Sequence, residues 1–124
     1  MLSVTYPLFV FFFLFLHYQA ATFWHQINEG NGLHGSSLTM ESLIEGMFGA
    51  GAVLISFGAV LGKTTPSQLL VIAFWEVIFY SLNLYLGLQF QVADAGGSMI
   101  IHAFGAYFGL GLALVMSPKV PAAQ

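Results

Sequence analysis

Arginine and cysteine are both missing from this chain, and ionisable side chains of any kind are scarce: two lysines and five acids among 124 residues, 6% charged. Without cysteine there are no disulfides, thiolate metal sites or thiol nucleophiles. Without arginine, and at a net charge of −3, the basic footprint that phosphate-rich partners need is missing, which excludes nucleic acid as a partner. A soluble domain covers itself with about a quarter charged residues, and this chain cannot. Nothing charged precedes Glu29 and nothing basic precedes Lys63. What is present is apolar: 58% hydrophobic and 16% aromatic residues, with a mean hydropathy of +0.86.

A spanning helix needs about 20 mostly apolar residues, and four such stretches can be marked, at about residues 4–24, 40–62, 66–88 and 94–116. The predicted fold class is therefore all-α: a polytopic membrane protein with four transmembrane helices. The first stretch has a competing reading as a cleaved signal peptide ending near Ala20 and Ala21, against which stands the absence of any positive side chain before its core. Residues 26–39 (QINEGNGLHGSSLT) have the composition of a loop at a water interface. Gly62-Lys63-Thr64-Thr65-Pro66 is a tight connection, with Gly closing one helix and Pro suited to the first turn of the next. Lys63 and Lys119 fall on one side of an alternating four-helix path, which the positive-inside rule assigns to the cytoplasm. Small residues recur four apart at Gly58 and Gly62 and at Gly105 and Gly109, a spacing that lets helix backbones approach closely in lipid.

Glu76, Asp94 and His102 are expensive in hydrocarbon, and intramembrane ionisable groups generally face a bundle interior, a cavity or a pathway. Asp94 precedes Ala95, Gly96, Gly97 and Ser98, so its carboxylate is expected to cap the first free N–H groups of the helix and to sit on the positive end of the helix dipole. That cap accounts for the residue with or without a part in a cation-attracting vestibule. His102 lies eight residues on, about 12 Å deeper if the helix is a continuous α-helix at 1.5 Å per residue. A packing role and a pathway role both fit it. It makes a poor metal ligand, because His17, His25 and His34 lie in or near the first span with no spacing that gathers three ligands. For Glu76 the first expectation is a structural link between helices, and a transport role is the second.

The stretches at residues 53–68 (VLISFGAVLGKTTPSQ) and 94–110 (DAGGSMIIHAFGAYFGL) resemble the Rh glycoprotein branch of the ammonium transporter family. The second carries Asp, a Gly-Gly pair and a His eight residues after the Asp. The resemblance covers about residues 16–116. It implies a bundle of eleven or twelve helices, of which this chain supplies the second to fifth of the eleven-helix core. It also implies a homotrimer in the plasma membrane, with one apolar pore per subunit. By that resemblance His102 matches the first of two pore histidines, Phe48 matches a phenylalanine closing the outer vestibule, and Asp94 matches an acid near the outer mouth.

Such a pore suits neutral ammonia. An ammonium ion would lose its hydration in a narrow apolar tube, whereas a neutral imidazole both donates and accepts hydrogen bonds without placing a fixed charge there. Two departures stand out. The second histidine and second gate phenylalanine belong to later helices. Also, where Rh-type members often carry Asn-Glu, Asn83 is followed here by Leu84. The expected function is ammonium or ammonia transport across a lipid bilayer as part of an Rh-type channel. The alternatives are a truncated non-conducting membrane fragment and an interaction subunit of a full-length relative. No nucleophile, paired carboxylate or metal cluster points to an enzyme, and no cofactor or metal is implied.

Overall fold

The computed structural model describes residues 39–117 together with Ala20, Phe23 and Trp24. The expected first span, at 4–24, otherwise lies outside the described residues. Among the described residues the membrane-length elements are α1 at Met40–Val60, α2 at Pro66–Gln89, and a composite third element. This last opens with a 3-10 turn at Ala95–Gly97, continues through a π-turn at Ser98–Ala103, and becomes regular as α3 at Phe104–Met116. All three are long and apolar enough to cross a membrane.

The connection between α1 and α2 follows from its side chains. Gly62 adopts φ 80°, a left-handed conformation that ends α1, and Thr64 Oγ1 donates back to the Val60 carbonyl at 3.2 Å. Gly62 therefore lies beyond the helix, and Gly58 has open space where a Cβ would stand. Among the described residues this pair forms no packing seam, in contrast to Gly105 and Gly109. Thr65 is the N-cap of α2. Its hydroxyl accepts from Gln68 N at 3.4 Å while its own N–H donates to Gln68 Oε1 at 2.9 Å, with Pro66 in the first turn. Such a reciprocal box satisfies two end groups that the helix leaves free. Thr65→Ala is expected to cost about 1 kcal/mol, read as a lower unfolding temperature in detergent.

The helices are apolar on every side, so their packing is decided by small residues and by shape. α1 packs most extensively on α3 and less on α2. At the α1–α3 crossing Gly105 and Gly109 are buried. A Cβ on Gly105 would come within 2.7 Å of the Ala52 carbonyl oxygen, and one on Gly109 within 3.0 Å of Ser56 Cα. Between α1 and α2, Val53, Ala73 and Val77 form the buried cluster, with Phe57 against it. α2 meets α3 through rings: Tyr80 stands edge-on to Phe104 at 5.9 Å, and Phe79 lies 6.4 Å from Phe108. Large apolar side chains cover the outside, Leu114 at 79% and Val115 at 85% exposure. This is the surface of a protein whose solvent is hydrocarbon or further apolar helices.

Candidate functional site

The third element begins with Gly96 at φ 71° and Gly97 at φ 70°. Two consecutive left-handed residues turn the backbone so that the Asp94 carboxylate passes over the 3-10 turn and meets the amides beyond it. It accepts from Ser98 Oγ at 2.8 Å, Met99 N at 3.0 Å and Ile100 N at 2.8 Å. Asp94 thus caps the π-turn. The expected bonds to the first free N–H groups directly after it are replaced by bonds further on, because the Gly-Gly pair inserts a turn of its own. The N–H of Ile100, then that of Met99, holds the Asp94 carboxyl below its ordinary range.

The π-turn also changes the placement of His102. A π-turn advances less per residue than an α-helix, so the depth expected from a straight α-helix does not apply. Asn83 reaches across from α2 and donates to the Ile100 carbonyl at 3.3 Å, tying the turn to its neighbour. His102 Nδ1 lies 3.0 Å from the Gly97 carbonyl oxygen. A carbonyl oxygen only accepts, so Nδ1 is the nitrogen that carries hydrogen in this contact. In the neutral ring that leaves Nε2 with its lone pair, and the side chain is exposed on the three-helix unit.

A cavity of about 400 Å³ opens beside this turn, lined by Phe48 of α1, Tyr80 and Leu84 of α2, and Asp94, Gly97 and Ile101 of the third element. Its wall is mostly apolar, and Asp94 is among the residues that line it. The structure brings Phe48 and Asp94 to this one cavity and leaves His102 outside its lining. Gly97 connects them: it lines the cavity, and its carbonyl holds the imidazole. Among the described residues no cluster of His, Cys, Asp and Glu could hold a metal ion.

Residues 35–124 match the family model described as Ammonium Transporter Family. The chain belongs to the ammonium transporter family. Similar relatives are the ammonium transporters Rh type B of cattle, 56% identical over 76% of the chain, of rabbit, 52% identical over 84%, and of human, 50% identical over 84%. The chain spans only 20% to 24% of the length of these relatives. No solved structure matches it. As a member of this family with several membrane-length apolar helices, the chain is an integral, multi-pass membrane protein, and the family is one of transporters and not of enzymes.

Two residues not singled out in the sequence organise the structure here, Tyr80 in the cavity wall and Ser56 between the helices, while Gly97 was marked only as one of the Gly-Gly pair after Asp94. Tyr80 reads there as one more aromatic in an apolar helix. The Gly-Gly pair after an Asp was the one signal available for the turn. Ser56 carries no sequence signal of its own, since its partners lie 20 and 49 residues away.

Proposed function

We propose that this chain forms part of an Rh-type conduction path for ammonium and ammonia, in which neutral ammonia leaves the Asp94 cavity, passes the ring of Phe48 and moves on to His102. The observation that carries this reading is the double role of Gly97, a wall of the cavity and the hydrogen-bond partner of His102. An acid in the wall of a mostly apolar cavity favours arrival of a cation, and the apolar lining favours its neutral base. Because Asp94 already accepts from three donors, its part in cation recruitment is electrostatic and leaves the cap in place.

The unprotonated Nε2 of His102 then offers an acceptor to an N–H of ammonia, while the backbone keeps the hydrogen on Nδ1. A closed lumen requires further helices facing the exposed side of His102. The homotrimer and the plasma membrane location expected from the resemblance are part of the same proposal.

Methylammonium uptake into vesicles tests the reading. His102→Ala removes one hydrogen-bonding station and is expected to lower uptake about tenfold, with little change in the concentration dependence set at the cavity. Unchanged uptake kinetics would remove His102 from the path.

A further inference from the structure

The Asp94 cavity and His102 leave one buried ionisable group unused. Glu76, in the middle of α2, is 0% exposed, as is Ser56 of α1 opposite it. Ser56 Oγ stands between two oxygens on two other helices: it contacts Glu76 Oε1 and lies 2.8 Å from the Gly105 carbonyl oxygen of α3. The Ala52 carbonyl, 3.4 Å away, completes its surroundings. This one hydroxyl touches all three helices of the described bundle.

A hydroxyl has a single hydrogen to give. The Gly105 carbonyl can only accept, so a bond at 2.8 Å takes the Ser56 hydrogen. The hydrogen between Ser56 and Glu76 must then come from the carboxyl. An ionised carboxylate would compete with Gly105 for the Ser56 hydrogen and leave one of the two oxygen pairs in bare lone-pair contact. Glu76 Oε2 has no hydrogen-bond partner among the described residues. The carbonyl-type oxygen of a neutral carboxyl tolerates that at far lower cost than one end of a buried anion.

We propose that Glu76 is a positioning residue, a neutral carboxyl that donates to Ser56, whose hydroxyl donates in turn to Gly105, so that the three helices are locked in one register and His102, three residues before Gly105, is set toward the path. The last clause rests on the conduction reading above, and the lock itself does not. The chain of donors runs in one direction, from α2 through α1 to α3, and ends one turn from the imidazole. A proton held here stays out of the transport step and serves to orient.

Infrared spectroscopy of the protein in lipid vesicles tests the lock directly, through the carbonyl stretch of a protonated carboxyl. The expected result is a carboxylic acid band that Glu76→Gln removes and that Ser56→Ala moves to higher frequency, because the acid loses its acceptor. No band lost in Glu76→Gln, or a band unmoved in Ser56→Ala, overturns the proposal.

Methylammonium uptake tests the positioning. Ser56→Ala, which changes little volume, is expected to lower maximal uptake about tenfold, and Glu76→Gln, whose amide still donates to Ser56, to keep it within about twofold. Full uptake in Ser56→Ala beside impaired uptake in His102→Ala overturns the positioning role. Full uptake in both variants, with the infrared signature as expected, overturns the conduction reading and supports the lock.

Discussion

Leucine in place of Gly105 is expected to part α1 from α3 and to give the largest loss of stability of any single substitution in the described bundle. Even alanine is too large there. Its Cβ would stand 2.7 Å from the Ala52 carbonyl oxygen and 3.1 Å from Ile55 Cβ, and neither neighbour is the free end of a flexible side chain. The helices would have to separate by about half an ångström to restore ordinary contact. That movement draws the Gly105 carbonyl away from Ser56, so packing and hydrogen bonding fail together.

Overpacking of a tight site costs about 1–3 kcal/mol, and leucine should exceed alanine. Gly58 is the control, because among the described residues nothing lies within 4 Å of its added Cβ. There Gly58→Ala should be neutral or stabilising by up to about 1 kcal/mol through helix propensity. Unfolding temperatures in detergent, with amide exchange across α1, separate the cases. If Gly105→Ala and Gly58→Ala behave alike, the close crossing of α1 and α3 is wrong.

The contrast between these glycines shows what the sequence carried. Both pairs have the same four-residue spacing, and spacing cannot tell a contact from an open face when every side of a helix is apolar. Local chemistry was legible: Pro66 after Thr65 marks the start of α2, and Gly62 marks the end of α1, because caps and left-handed residues act within a few positions of themselves. The apolar lengths disclosed the membrane class, and the resemblance of residues 53–68 and 94–110 to Rh-type sequences pointed to the family to which the chain belongs.

The π-turn was hidden, since Ser98 to Ala103 has the composition of an ordinary helix and is held open partly by Asn83 from another element. Ser56 was hidden for a related reason. Its role exists only once three helices meet, and nothing within a helical turn of it announces a carboxyl on one side and a carbonyl on the other.

Removing the Asp94 side chain is expected to reduce methylammonium uptake to background, a larger effect than loss of the imidazole itself. The carboxylate gathers Ser98 Oγ and the amides of Met99 and Ile100, and two left-handed glycines stand between it and those donors. With Asp94→Ala the amides lose their partner and the glycines lose the restraint that selects one conformation for them. The Gly97 carbonyl then no longer has a fixed place from which to hold His102. Asp94→Asn keeps the length and one acceptor oxygen, so it should retain a measurable fraction of uptake. Asp94→Glu, with a longer arm, should fall between them.

Acid titration checks the cap independently of transport. Hydrogen bonds to its charged form put the folded carboxyl below the 3.8 it has when unconstrained. Its contribution is therefore complete above that value and is lost as pH falls through the lower folded one. Met99 and Ile100 amides should stay protected from exchange at mildly acidic pH and open in more strongly acid solution, a transition that Asp94→Asn lacks. Slow exchange of both amides in Asp94→Ala would show that the turn holds without its carboxylate, and the link from cavity to histidine would then need another cause.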